Sequence, residues 1–145
     1  MPLTGDYEPS TSSGVRKQVD LYERTKGTHG ATIAGRPVVV VTSRGARSGK
    51  LRKNPVMRVE HEGCYAAVAS LGGAPENPQW YHNMLAEPLV EVQDGAVKRD
   101  YIARLVDGEE RQQWWERAVE AFPRYEQYRV KTKRDIPVFV LEPAE

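Results

Sequence analysis

The densest chemistry in the chain lies between Arg44 and Lys53, where Arg44, Arg47, Lys50, Arg52 and Lys53 place five cations in ten positions. The stretch reads Thr42-Ser43-Arg44-Gly45-Ala46-Arg47-Ser48-Gly49-Lys50-Leu51-Arg52-Lys53-Asn54-Pro55. A phosphate or a polycarboxylate needs several converging N–H and cationic donors, and this segment supplies them. Gly45 and Gly49 permit the tight backbone turns that such convergence requires. A solvated basic loop is the plainer reading; the interleaved Ser and Gly favour an anion site over it. The spacing is not Gly-x-x-x-x-Gly-Lys-Ser/Thr, which excludes a P-loop.

Little else in the chain can do chemistry unaided. His29, His61, His82 and Cys64 fall in no metal-ligand spacing, and no nucleophile-elbow motif is present. Cys64 begins an apolar strand and reads as a buried, inert thiol. Trp114 and Trp115 lie on a helix, where packing is their expected role. Without a strong nucleophile or a metal site, a bound cofactor would have to carry the reaction.

The composition narrows the partners. The net charge is +1, so no global field draws the protein to nucleic acid or anionic lipid, and no basic stripe continues beyond the loop. Hydrophobic residues make up 39% and charged ones 28% of the 145 residues, as in a soluble globular domain. No apolar run approaches the roughly 20 residues that span a bilayer, and the first residues do not read as a signal peptide. The single cysteine excludes an intrachain disulfide and fits a reducing compartment, so a cytoplasmic location is expected.

The elements that must position the loop follow from periodicity. Residues 1–13 are rich in Pro, Ser, Thr and Gly and read as a flexible arm; residues 14–145 form one domain. Val15, Val19 and Tyr22 recur at helical spacing over Gly14–Lys26. Val38–Ser43 reads as a strand buried on both sides. Pro55–Glu60 and Cys64–Ser70 flank a turn at His61-Glu62-Gly63, and Leu89–Val92 and Val97–Ala103 flank another at Gln93-Asp94-Gly95-Ala96. Asn77 and Pro78 form a cap and first-turn pair opening a short helix. Asp107 and Glu110 resemble a capping box, opening a helix with Trp115, Ala118, Val119 and Phe122 on its apolar face. Ile136–Leu141 is the last strand. Six or so short strands with few helices predict a mainly β fold, a small barrel with added helices.

Further segments make the sequence recognisable: Ala69-Ser70-Leu71-Gly72-Gly73-Ala74-Pro75, then Asn77-Pro78-Gln79-Trp80-Tyr81-His82-Asn83, then Gly108-Glu109-Glu110-Arg111-Gln112-Gln113-Trp114-Trp115, Tyr125-Glu126-Gln127-Tyr128 and Ile136-Pro137-Val138-Phe139. In this order, after the basic loop, they resemble the deazaflavin-dependent nitroreductase and quinone reductase family of actinobacteria. The resemblance runs from the first helix to the final strand. It implies a split β-barrel of the flavin reductase and pyridoxamine-phosphate oxidase type. It also implies binding of the reduced 8-hydroxy-5-deazaflavin coenzyme, whose tail carries a phosphate and oligoglutamate.

By that resemblance, Arg44, Arg47, Ser48, Lys50, Arg52 and Lys53 should hold phosphate and glutamates. Asn54, Pro55 and Val56 would line the ring, with Met57 nearby. Ala69 and Ser70 would meet the ring or phosphate, the backbone amides of Gly72 and Gly73 would add donors, and Trp80, Tyr81 and Asn83 would brace the pocket. Leu71 stands where members of the family often have Lys, which removes one cation from the expected phosphate site. Tyr125 and Tyr128 match positions that wall the substrate side, where Tyr128 could give a proton; aromatic core packing is the competing reading for both.

The activity implied is hydride transfer from the reduced coenzyme to quinone-like or nitroaromatic acceptors. Two alternatives stay open: an FMN-binding reductase with the same barrel, and a deazaflavin-binding protein without turnover. No metal is expected. The partner expected is a small-molecule quinone or nitroaromatic acceptor; nucleic acid and a transmembrane segment are not. A transient membrane-surface contact stays open, as does the choice between monomer and homodimer.

Overall fold

Val38, Val39, Val40 and Val41 are all buried because β2 (Arg36–Arg44) carries a hydrophobic core on each face. Val38 and Val40 point into one core and Val39 and Val41 into the other, as the two-residue side-chain period of a strand demands. In the computed structural model, which describes residues 3–144, every strand pairing is antiparallel. The other strands are β1 (Thr32–Ile33), β3 (Leu51–Met57), β4 (Glu60–His61), β5 (Cys64–Val68), β6 (Leu89–Asp94), β7 (Val97–Leu105) and β8 (Val138–Pro143). Their order is β1-β2-β6-β7-β8-β5-β4, with β3 also paired to β2. The sheet curls until β3 comes against β5, which gives a split barrel.

The barrel interior is filled by Val39, Val41, Val90, Val92, Phe139 and Leu141 with their neighbours. The second core lies outside the sheet, beneath α1 (Ser13–Arg24), α3 (Gly108–Ala121) and α4 (Arg124–Lys131). A short helix, α2 (Gln79–Ala86), follows a 3-10 turn at Leu71–Gly73. Both tryptophans of α3, Trp114 and Trp115, are buried in the outer core.

The expected strand Pro55–Glu60 is divided between two elements: β3 ends at Met57, and β4 is the strand that enters the first turn. Pairing of β3 also begins early, at Leu51: Arg52, Lys53 and Asn54 lie opposite Ser43, Thr42 and Val41. These polar residues sit in a strand because residues 52–55 are only partly buried there. The basic segment is therefore half loop and half strand. Both hairpin turns occur as two-residue turns, at Glu62-Gly63 and Gly95-Ala96.

Helix starts depart from the expected caps. Pro78, not Asn77, occupies the N-cap of α2, and the Asn77 side chain accepts a hydrogen bond from Arg134 instead. Asp107 is the N-cap of α3 but makes no side-chain cap bond. Glu110 cannot complete a capping box because both its oxygens are taken by Arg104, at 2.8 and 2.7 Å.

The N-terminal segment runs along β3. Leu51 N–H donates to the Asp6 carbonyl at 2.7 Å and Glu8 N–H to the Leu51 carbonyl at 2.9 Å. No side-chain periodicity marks this segment, because its backbone makes the contact. Residues 1 and 2 of the expected arm lie outside the described residues.

Candidate active site

Between β3, the loop that precedes it, the 3-10 turn, α2 and α4 opens a cleft of about 850 Å³. Asn54, Pro55, Val56 and Met57 form its floor, and Val68 its side. The volume is within the range of small-molecule and cofactor sites, roughly 300–1,000 Å³.

The basic loop is folded tightly over one end. Gly45 N–H donates to the Lys50 carbonyl at 2.7 Å and Gly49 N–H to the Gly45 carbonyl at 3.0 Å. A Cβ on Gly45 would come within 2.8 Å of Ser48 Oγ and 3.2 Å of the Lys50 carbonyl oxygen, which shows how closely the turn is wound. Ala46 N–H donates to Asn83 Oδ1 at 3.0 Å, which ties the loop to α2. Asn83 is 2% exposed and also accepts from Gln79 Nε2 at 3.3 Å.

The five cations of the loop have separate fates. Arg47 and Arg52 line the cleft, together with Ser48. Arg44 does not: its guanidinium donates to the Gly49 carbonyl at 2.8 Å and the Thr4 carbonyl at 2.6 Å, clamping the loop to the N-terminal segment. Lys53 turns away to Glu23 of α1 at 2.6 Å, with its ammonium 4.8 Å from the centre of the Tyr7 ring. Lys50 is exposed and does not line the cleft. Arg52 itself pairs with Glu8 at 3.3 Å.

The 3-10 turn forms the next wall through Ser70, Leu71 and Gly72. Leu71, Gly72 and Gly73 all have positive φ, at 45°, 64° and 81°. Gly73 N–H is used internally, donating to the Ser70 carbonyl at 2.9 Å. The N–H groups of Leu71 and Gly72 have no partner among the described residues. Ala69 is fully buried and its N–H donates to the Pro137 carbonyl, so it stands behind the wall. Trp80 lines the cleft, whereas Tyr81 packs on Phe139 toward the barrel interior, 5.7 Å between ring centres.

Phe122, Tyr125 and Tyr128 close the far side. Tyr125 is 3% exposed and stacks edge to face on Phe122 at 5.1 Å. Burial, with a smaller contribution from Tyr128, pushes the Tyr125 hydroxyl well above the ordinary phenol range. It is therefore a neutral group at physiological pH. Trp115 Nε1 donates to Glu126 at 2.7 Å, and Arg129 grips the same carboxylate through two bonds, which fixes α4 against α3.

Of the expected site residues, Arg47, Ser48, Arg52, Asn54, Pro55, Val56, Met57, Ser70, Gly72, Trp80, Asn83, Tyr125 and Tyr128 meet around one cleft. Arg44, Lys50, Lys53, Ala69, Gly73 and Tyr81 stand outside its lining. The sequence reading missed Glu8, Ser10 and Thr11, which carry no periodic signal, and Phe122, which its helical face assigned to packing. Among the described residues no group of three His, Cys, Asp or Glu side chains is placed to hold a metal ion. None of the described helices is long and apolar enough to cross a membrane.

A split barrel with helices on its outside is the pyridoxamine-phosphate oxidase-like class of fold. Two distant neighbours share the fold: HutZ of Vibrio cholerae, 14% identical with a TM-score of 0.58 over 90% of this chain and 91% of its own, and a pyridoxamine 5'-phosphate oxidase-like protein of Listeria innocua, 13% identical with a TM-score of 0.52 over 89% and 92%. Within that class, residues 14–143 match the family of F420H(2)-dependent quinone reductases, and the chain belongs to this family. It is 33% identical over 125 residues to the F420H(2)-dependent quinone reductase Rv1261c of Mycobacterium tuberculosis, covering 83% of this chain and 84% of that one. A solved structure of an F420-H2 dependent reductase (FDR-A) is 55% identical, with a TM-score of 0.70 over 74% of this chain and 95% of its own. Another, a domain-swapped dimer, is 49% identical, with a TM-score of 0.72 over 88% and 96%.

Proposed function

We propose that the protein is a reductase that binds the reduced deazaflavin coenzyme in this cleft and passes its hydride to quinone-like or nitroaromatic acceptors. The observation that carries the reading is the polarity of the cleft. Its lining combines cationic and polar donors, Arg47, Arg52, Ser48 and the Leu71 and Gly72 N–H groups that have no partner among the described residues. Beside them it is apolar and aromatic, with Val56, Met57, Trp80, Phe122, Tyr125 and Tyr128. A ligand with a flat ring and an anionic tail fits this division, and the cation density suits a tail with more than one charge.

When bound, the reduced coenzyme supplies the hydride. The chain's own residues hold and orient. Arg47, Arg52 and the turn amides would bind the tail; Pro55, Val56 and Met57 would support the ring face; Tyr125 and Tyr128 would wall the acceptor and exclude water. Reduction of a quinone also consumes a proton, which the Tyr128 hydroxyl or solvent would give. The single cysteine, Cys64, supports a reducing, cytoplasmic setting.

FMN is the second reading, since it too joins a flat ring to a phosphate. Its single short phosphate calls for fewer donors than the lining arginines, Ser48 and the turn amides together supply, which favours the longer tail. Titration of the purified protein with the deazaflavin coenzyme and with FMN, followed by anaerobic mixing of the reduced coenzyme with a soluble quinone, tests the proposal. Tighter deazaflavin binding and loss of the reduced-coenzyme signal on adding quinone are expected. Preferential FMN binding, or coenzyme binding without turnover, would reject it.

A further inference from the structure

Arg134 lies between α4 and β8 and does not line the cleft, yet it makes more side-chain hydrogen bonds than any cation of the basic loop. Its Nε donates to the Ala74 carbonyl at 3.0 Å and Nη1 to Asn77 Oδ1 at 2.6 Å. Nη2 donates to the carbonyls of Ala69 at 3.1 Å and Ser70 at 2.9 Å. Thr132 Oγ1 adds a bond to the Ala74 carbonyl at 3.4 Å. No carboxylate of the described residues forms an ion pair with this half-buried guanidinium. Its hydrogen-bond partners are all neutral oxygens.

The bonds have a consequence on the opposite side of the turn. In a trans peptide unit the C=O and the following N–H point in opposite directions. With the Ala69 and Ser70 carbonyls drawn to Arg134, the N–H groups of Ser70 and Leu71 must point away from it. Neither donates to another protein group among the described residues, and both residues line the cleft. Unpaired N–H donors facing a cleft, backed by a guanidinium without a counter-ion, form an anion-binding arrangement. The planar fork is needed for the geometry, because an ammonium cannot engage four acceptors at once.

We infer that Arg134 is a positioning residue for ligand binding: it turns the Ser70 and Leu71 amides toward the cleft and places a positive charge behind them, so that a phosphate group is held there. The inference rests on the cofactor reading above for the identity of the ligand, but not for the presence of the anion site.

The test uses Arg134→Lys and Arg134→Gln in the full chain. Four ligands are titrated: the deazaflavin coenzyme, the same deazaflavin without phosphate and tail, FMN and riboflavin. Arg134→Gln should weaken the phosphate-bearing ligand by roughly tenfold or more, with its phosphate-free counterpart changed little. Arg134→Lys keeps the charge and loses the fork, so it should recover only part of the loss. Inorganic phosphate should shift the Ser70 and Leu71 amide resonances of the wild-type protein and not those of Arg134→Gln. Equal weakening of phosphate-bearing and phosphate-free ligands, or amide shifts that persist in Arg134→Gln, would overturn the inference. If the wild type binds FMN and not the coenzyme, the cofactor reading fails, and the FMN–riboflavin comparison decides the role of Arg134.

Discussion

Gly73 and Tyr128 stand so close that a methyl group between them would be crowded: a Cβ on Gly73 would lie 3.2 Å from Tyr128 Cα and 3.3 Å from its carbonyl oxygen. The turn that carries Ser70 and Leu71 is thus pressed against the helix that carries the tyrosine wall. Two neighbouring walls of the cleft meet at this backbone approach.

Replacing Gly73 with Ala adds that crowding to a positive φ of 81°, which L side chains rarely adopt. Stability should fall by roughly 1–3 kcal/mol, read as a lower urea midpoint at unchanged slope. An unchanged midpoint would mean that the turn and α4 separate freely.

The cations of the basic segment should separate by function. Arg52→Ala removes a charge at the cleft and should weaken coenzyme binding by about 1.5–3 kcal/mol, as for a lost charge-assisted hydrogen bond. The maximal rate at saturating coenzyme should hold. Lys50→Ala should change affinity by less than about 0.5 kcal/mol, since an exposed charge outside the lining acts only through a screened field. Equal losses in coenzyme titrations of the two variants would contradict this division. Lys53→Ala should instead lower the melting temperature, because it leaves the largely buried Glu23 unpaired.

Composition alone could not have drawn that division. Five cations in ten positions announce an anion site, but which of them face it depends on partners distant in sequence: Thr4 for Arg44 and Glu23 for Lys53. The valine run of β2 and the two hairpin turns were legible because period and turn chemistry are local signals. The start of β3 was not, since Arg52, Lys53 and Asn54 do not look like a strand until the sheet pairs them. Arg134 sits in Lys131-Thr132-Lys133-Arg134, which no motif or periodicity singled out; only the fold shows the turn carbonyls around it. The family resemblance located the cleft more sharply than periodicity did, because ordered motifs carry tertiary information that single segments lack.

The two tyrosines should respond differently to loss of the hydroxyl. Tyr128→Phe should lower turnover while melting temperature and coenzyme affinity stay near the wild-type values, if its hydroxyl gives the proton or orients the acceptor. Tyr125→Phe keeps the buried ring and should leave turnover near normal, because a phenol held this far above its ordinary range is a poor acid. Tyr125 also carries a pH signature. Its folded-state pKa is raised, so above about pH 10 the native state holds a proton that the unfolded chain releases. Stability is therefore full below that pH and falls as pH rises beyond it. Tyr7, Tyr22, Tyr65 and Tyr101 shift in the same direction. Burial raises the Cys64 thiol as well. Urea midpoints between pH 8 and 11 should fall less steeply in Tyr125→Phe than in the wild type; parallel curves would assign the alkaline loss to the other four tyrosines and Cys64.

Leu71 gives the sharpest test of where the phosphate lies. It is 47% exposed at the cleft, its N–H has no partner among the described residues, and its φ is 45°. A lysine has the same Cβ and meets the same backbone strain, so Leu71→Lys should leave stability nearly unchanged. Its ammonium would extend into the cleft and meet a phosphate held at the turn amides. The gain should be modest, roughly 0.5–1 kcal/mol, because the site is solvated and Lys131 Nζ already stands 3.4 Å from the Gly72 carbonyl. Coenzyme affinity should rise and its dependence on salt steepen, since one more ionic contact is screened, while the preference among acceptors stays as it was. If Leu71 instead packs on the ring or closes the acceptor side, burying a cation there weakens binding or changes which acceptors are reduced. Coenzyme titrations of both proteins at low and high salt separate the two arrangements: weaker binding in Leu71→Lys would move the phosphate away from the turn and the ring toward it.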